Sequence, residues 1–263
     1  MTAPSFDPAG TGLLLALDGC HNFRRVAGWR TRDGRTVRAG RLFRADGLGA
    51  LSDADHRSLA ALGLGHVFDL RASGEIAHAP SRWPGDWQLA TWQGAESAAE
   101  ADITRMMARE GLTAADFRAA MCGVYARFHD DLAAATAAAA RALAEGDGSV
   151  LIHCTAGKDR TGFVTAMVLN AAGVTEDDVL ADYLLSNASL PSARIRFNVD
   201  GRLDGVEARA PGALDALVGV HAEYLQAAVA PMIAGFGSVD GWLAARAGID
   251  TPLRERLRKR LLT

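Results

Sequence analysis

Ser149-Val150-Leu151-Ile152-His153-Cys154-Thr155-Ala156-Gly157-Lys158-Asp159-Arg160-Thr161-Gly162 is the stretch whose reading decides the fold. Residues 149–153 are a short run of strand length, apolar from Val150 to Ile152, the kind that lies buried at the centre of a sheet. A helix is expected from Arg160 to about residue 172, with Gly173 as its stop. Only a tight loop joins the two. Gly157 permits a backbone turn there that a Cβ would hinder. Such a loop turns successive N–H groups inward and points a helix N-terminus at the same centre, which suits an anion.

Outward from this unit, residues 41–46 (RLFRAD) and 65–70 (GHVFDL) read as further strands, and 88–92 (QLATW) as a weaker one. Between the first two, Ser52 with Asp53 and Asp55 starts a helix that runs to about residue 62. Residues 95–109 are polar and read as a loop or mobile helix. A helical region beginning at Thr113 continues to about Glu145, its second half rich in alanine, and Gly146-Asp147-Gly148 breaks it. Thr175 caps a helix reaching about residue 187. Residues 190–211, with Pro191, Gly201, Gly205 and Pro211, look irregular. Helices over 213–228, 238–247 and 252–262 close the chain. Strands alternating with helices predict an α/β fold with a central, mainly parallel sheet and helices on both faces. No linker divides the chain, so a single domain over residues 1–263 is expected.

The 263 residues are 49% hydrophobic and carry a formal net charge of -3. That balance supports a packed core and argues against a broad nucleic-acid-binding face. No apolar run is long enough to span a bilayer, and residues 13–17 are too short for a signal core. The chain is expected to start near Met1 and to stay in the cytoplasm, with export by a signal-less route left open. Composition carries no sign of oligomeric state. Three cysteines argue against a disulfide framework and fit a reducing compartment. Cys20 and Cys122 read as small buried hydrophobes. Neither has ligand spacing to Cys154, so no metal or cofactor is expected.

Cys154 stands where the strand ends, and Arg160 follows after five intervening residues. Closing the loop brings both side chains to one centre. A guanidinium can grip two oxygens of a phosphoryl group with its planar fork. The backbone N–H groups of Thr155, Ala156, Gly157, Lys158, Asp159, Arg160 and Thr161 complete the cradle. The same positive setting favours the thiolate, which is the nucleophilic form of cysteine. Thr161 is placed to donate its hydroxyl to that thiolate. His153 points to the other side of the strand and is expected to brace the loop through hydrogen bonds.

The run HCTAGKDRTG resembles the signature of the protein tyrosine phosphatase superfamily. Its Lys-Asp-Arg ending resembles an atypical bacterial branch that also acts on phosphoinositides. Asn22-Phe23-Arg24 with Gly28, the segment from Arg41 to Asp55, Asp69-Leu70-Arg71 with Glu75, and Asp182-Tyr183 with Ser186-Asn187 are similar to other motifs of that branch. The likeness spans roughly residues 18–262. Arg25-Val26-Ala27 stand where conventional members carry a glycine pair. The resemblance implies a phosphocysteine intermediate and phosphotyrosine as substrate, with phosphoserine, phosphothreonine and phosphoinositides as further candidates.

A leaving alcohol needs a proton donor. Trp83-Pro84-Gly85-Asp86 imitates the Trp-Pro-Asp loop of conventional members, but it precedes its strand and reads as a turn, with Trp83 and Trp87 as packing residues. After Trp92 no aspartate follows in the expected place. Asp159, inside the loop, is the first candidate, and Asp69 at a strand end is the second. A loop-bracing carboxylate and a partner for Arg71 are their respective alternatives. Glu96 and Asp102 are remote candidates. Lys158 is expected at the rim, where it would suit substrates with several phosphates. Arg44 and Arg71 are expected as supporting residues near the pocket, and residues 190–230 as a lid or a packed helical layer. A silent phosphate-binding module, an arsenate reductase and a sulfur transferase are the competing functions.

Overall fold

The computed structural model describes residues 13–84, 90–93, 106–107, 109–189 and 203–263. The sheet takes β1 (Arg24–Arg25), β2 (Leu42–Ala45), β3 (Leu64–Asp69), β4 (Ala90–Gln93) and β5 (Ser149–His153) in the order β1-β2-β5-β3-β4. β2, β5, β3 and β4 run parallel, and the short β1 is antiparallel to β2. The stretch that decides the fold is thus the central strand, and the α/β expectation holds.

Side-chain alternation splits the core into two layers. Leu42, Phe68, Val150 and Ile152 belong to the larger hydrophobic cluster. Phe43, Ala45, Val67 and Leu151 face the opposite way into a smaller one. There they meet Cys20, Phe23 and Leu59, the last from α1 (Asp53–Ala60). Trp83 packs against this smaller cluster, as expected; Trp87 lies outside the described residues.

On the larger side, α3 (Ala114–Asp131), α4 (Ala133–Glu145) and α5 (Asp159–Ala172) stack beneath the C-terminal helices. α5 is buried almost all round, including Phe163, Val164, Met167, Val168 and Leu169. A helix without a polar face has to sit between two layers, and α5 lies between the sheet and its helical neighbours. Gly173, at φ 86°, ends it as expected. Further helices are α6 (Glu176–Leu184), α7 (Val206–Arg209), α8 (Ala213–Val218), α9 (Ala222–Phe236), α10 (Val239–Ala245) and α11 (Thr251–Leu261).

Several boundaries differ from expectation. The helical region after Thr113 divides at Leu132, which no glycine or proline announces; Leu132 is buried and its backbone leaves the helical region. The helix expected over 213–228 is two, because Gly219 turns extended after α8 and α9 starts afresh at Ala222. The helix after Thr175 gives way to a 3-10 turn at Leu185–Ser189. A short helix α2 (Ser73–His78) was not expected, since its N-cap is Ala72. Most of 95–109 and all of 190–202 lie outside the described residues, so Glu96 and Asp102 do too. In the described part of 203–230, Leu203, Val206, Ala213, Ala216, Leu217, Tyr224 and Ala228 join the larger cluster. Among the described residues no single helix is long and apolar enough to cross a membrane.

Candidate functional site

Ala45, His153 and Asp69 end β2, β5 and β3 at the same level of the sheet. The loop from Cys154 to Lys158 leaves from this rim and enters α5 at Asp159. Its carbonyls are held from outside. Gly47 N–H donates to Thr155 O (3.0 Å), and Asn22 Nδ2 donates to Ala156 O (3.0 Å) and Gly157 O (3.1 Å). Arg44 Nη2 also donates to Gly157 O (2.9 Å). In a trans peptide the C=O and the following N–H point in opposite directions. Drawing three carbonyls outward therefore directs the N–H groups of Ala156, Gly157 and Lys158 inward, toward the α5 N-terminus. Gly157 has φ 67°, and a Cβ there would stand 2.3 Å from Ala45 O. Only glycine fits that position.

The donors that hold the loop are themselves fixed by buried charge. Arg44 Nη1 bonds Asp182 Oδ2 at 2.6 Å, and its Nη2 reaches Ser186 Oγ at 3.3 Å. Arg24 donates to Asn22 Oδ1, to Ser186 Oγ (3.0 Å) and to Asp182 O (3.1 Å). Both arginines are fully buried. Burial, then the neighbouring Arg44 charge, depress the Arg24 guanidinium to about 9. Arg44, expected as a supporting residue near the pocket, holds the loop from behind. Asp46 gathers the chain before β1, accepting from the Cys20 thiol (2.6 Å) and from the N–H groups of His21 and Asn22 (both 3.1 Å).

Arg160 points into the site, and a carboxylate meets it. Its Nη1 and Nη2 bond Glu75 Oε2 (2.6 Å) and Oε1 (2.9 Å), and Nη1 also donates to Leu70 O (3.1 Å). Thr155 Oγ1 donates to Glu75 as well. Burial alone would raise the Glu75 carboxyl, but the bonds and charge of Arg160, with Thr155 and the Ala72 N–H, hold it down to about 2. Its contribution to stability is therefore full above its ordinary range and lost only as pH falls toward about 2. Glu75 carried no assigned role in the sequence. It stands at the third position of a helix that has no side-chain N-cap, and Ala72 N–H donates back to it at 2.8 Å. Glu75→Gln removes the charge that steadies the guanidinium. We expect kcat/KM for an aryl phosphate to fall about tenfold. A rise instead would mean that this carboxylate blocks the phosphate grip.

Asp159 Oδ1 accepts from Tyr125 Oη at 2.6 Å, and Oδ2 lies 3.2 Å from Lys158 Nζ. Lys158 is a correction. The expected rim lysine is 2% exposed, and its ammonium donates to Leu217 O (2.8 Å) and Gly219 O (3.2 Å) at the C-terminal end of α8. Unsatisfied carbonyls at a helix end attract a cation, and here they take Lys158 away from solvent.

Asp69 is also corrected. Both its oxygens bond Arg71, Oδ1 from Nε at 2.8 Å and Oδ2 from Nη2 at 2.7 Å. Burial would raise this carboxyl, but the Arg71 hydrogen bonds and the nearby His153 hold it below the usual range. It is a structural anion, not a proton donor. Arg71 is buried, continues to Ala79 O (2.7 Å) and Ser81 Oγ (3.0 Å), and so ties β3 to the chain after α2 instead of lining a pocket. His153 is fully buried, its ring nitrogens lack a partner in good hydrogen-bond geometry, and Nε2 stops 3.5 Å from Asp69 Oδ2. Burial lowers its pKa to about 4, against the opposing pull of Asp69 and of the Cys154 backbone, so it stands behind the loop as a neutral ring. Thr161 Oγ1 is buried without a hydrogen-bond partner. Cys154 is 2% exposed.

A family model described as the tyrosine phosphatase family matches residues 15–263. The triple specificity protein phosphatase PtpB of Mycobacterium tuberculosis is 36% identical over 278 residues, covering 94% of this chain and 98% of its own. A Cupriavidus necator protein, provisionally named a tyrosine-protein phosphatase, is 36% identical over 236 residues, covering 90% of this chain and 85% of its own. The crystal structure of P. aeruginosa TpbA with phosphotyrosine aligns over 76% of this chain and 96% of its own, at 16% identity and a TM-score of 0.36. The match runs through the phosphate loop and nearly the whole described fold, and the chain belongs to the tyrosine phosphatase family.

Proposed function

We propose that this phosphatase hydrolyses phosphotyrosine, and also phosphoserine, phosphothreonine and phosphoinositides, through a phosphocysteine intermediate. The outward-held carbonyls of Thr155, Ala156 and Gly157 carry this reading, because they aim the N–H groups of the loop at a bound phosphoryl group. The Cys154 thiolate attacks phosphorus; the S–P bond forms as the ester P–O bond breaks. Asp159 hands its proton to the leaving oxygen. Water then attacks the phosphocysteine, Asp159 takes the water's proton, and the thiolate leaves as the S–P bond breaks. The unpartnered Thr161 hydroxyl supplies a donor for that departing thiolate. Breadth toward several monoesters is supported by the name of the M. tuberculosis relative. The inositol-lipid part rests on resemblance alone, since Lys158 is turned toward α8. All three cysteines are free thiols, which accords with a cytoplasmic setting.

Inward N–H groups and Arg160 neutralise the phosphate without a divalent ion. Hydrolysis of p-nitrophenyl phosphate is expected to survive exhaustive chelation and to stop with vanadate, which mimics the five-coordinate phosphorus. Activity that vanishes with chelator and returns with Zn²⁺ or Mg²⁺ would defeat this mechanism.

A further inference from the structure

Tyr125 on α3 and Tyr183 on α6 are fully buried, yet each keeps a hydroxyl. Tyr183 Oη donates to Tyr125 Oη at 2.8 Å, and Tyr125 Oη donates to Asp159 Oδ1 at 2.6 Å. The two phenols form a hydrogen-bonded chain that ends on one carboxyl of the phosphate loop. Two phenylalanines would fill almost the same volume without desolvating any polar group. Packing fixes the first ring: Tyr125 stands 4.7 Å from the Phe128 ring, 5.5 Å from Tyr224 and edge-on to Tyr183 at 6.3 Å. The direction of its O–H is therefore set by rigid elements, not by a loop. Burial and then the Asp159 charge push the Tyr125 phenol well above its ordinary value, so it stays a donor at every working pH. Asp159 is faced by Lys158 from the loop, by Tyr125 and Tyr183, and at longer range by Tyr224 on α9.

We propose that Tyr125, steadied by Tyr183, is a positioning residue that fixes the Asp159 carboxyl for proton transfer. As Asp159 gives its proton to the leaving oxygen, negative charge grows on the carboxyl, and the Tyr125 hydrogen bond strengthens with it. The bond pins Oδ1, while Oδ2 stands 3.2 Å from Lys158 Nζ, so the carboxyl is held from both sides. This inference rests on the proposed role of Asp159 and adds the residues that make it effective.

The test compares Tyr125→Phe, Tyr183→Phe, Asp159→Asn and the Tyr125→Phe/Asp159→Asn pair on p-nitrophenyl phosphate and on phenyl phosphate, whose leaving group is poorer. Positioned proton transfer contributes on the order of 10²–10⁴-fold. For Tyr125→Phe, kcat on phenyl phosphate is expected to fall about tenfold with KM within about twofold, and to fall less on p-nitrophenyl phosphate. Tyr183→Phe is expected to show the same pattern in weaker form, and it serves as the second variant should Tyr125→Phe fail to fold. In the Asp159→Asn background, Tyr125→Phe is expected to cost nothing more. Losses that multiply, or that are equal on both esters, would overturn the inference while leaving Asp159 in place. Asp159→Asn with undiminished kcat on phenyl phosphate would overturn the Asp159 assignment and this inference with it.

Discussion

Cys154→Ser abolishes turnover and leaves oxyanion binding nearly intact. Serine replaces one chalcogen with another in a buried position, so the loop keeps its shape. What changes is the nucleophile. An alkoxide does not form at neutral pH without a base in contact with the hydroxyl, and His153, the adjacent imidazole, is fully buried. The loss in kcat is expected to be on the order of 10⁴-fold or more. Tungstate affinity should change little. The inward N–H groups of the loop are oriented by Gly47, Asn22 and Arg44, which bond the carbonyls of Thr155, Ala156 and Gly157. Steady-state hydrolysis of p-nitrophenyl phosphate and calorimetric titration with tungstate read the two effects separately. Retained hydrolysis rules out Cys154 as the nucleophile. Lost tungstate binding alongside lost turnover would mean instead that the thiol holds the loop together.

The strand, the loop and its helix were legible because their signals are local. Five strand residues, a glycine that alone tolerates its turn, and a helix stopped by Gly173 lie within one short window. The roles of single charged residues were much less legible. Arg44 and Lys158 have the same sequence appearance as any arginine or lysine near a pocket. Their partners, Asp182 and the carbonyls of Leu217 and Gly219, lie far along the chain and are set by how α6 and α8 pack. Glu75 was visible as part of a motif, but its meeting with Arg160 depends on where the uncapped α2 begins. Tyr125 reads as one more apolar position of an amphipathic helix. Nothing along the chain says that its hydroxyl finds Asp159 across two elements. Asp69 was ambiguous for a different reason. A carboxylate two residues before an arginine suits both a proton donor and an ion pair, and only the fork geometry of Arg71 decides for the pair.

Asp182→Ala is expected to cost about 3–5 kcal/mol of stability, the toll of breaking a buried charge pair from one side. Asp182 is the anion for two fully buried guanidiniums: Arg44 at 2.6 Å and Arg24 at 3.8 Å. Without it, two like charges face each other in the interior, and Arg24 is already depressed by burial and by Arg44. Water cannot screen them there. Since a domain of this kind has only about 5–15 kcal/mol in total, much of the margin goes. The loop should suffer first. Arg44 holds Gly157 O, and Arg24 holds the Asn22 side chain that binds Ala156 O and Gly157 O. A molecule that remains folded at low temperature should therefore bind tungstate more weakly than the wild type. Asp182→Asn keeps the shape and one acceptor but loses the charge, so it should fall between the two. Urea unfolding monitored by fluorescence gives the stabilities, and tungstate titration gives the state of the loop. If Asp182→Ala unfolds at the wild-type urea midpoint and binds tungstate as tightly, the buried arginines do not depend on this carboxylate to hold the loop.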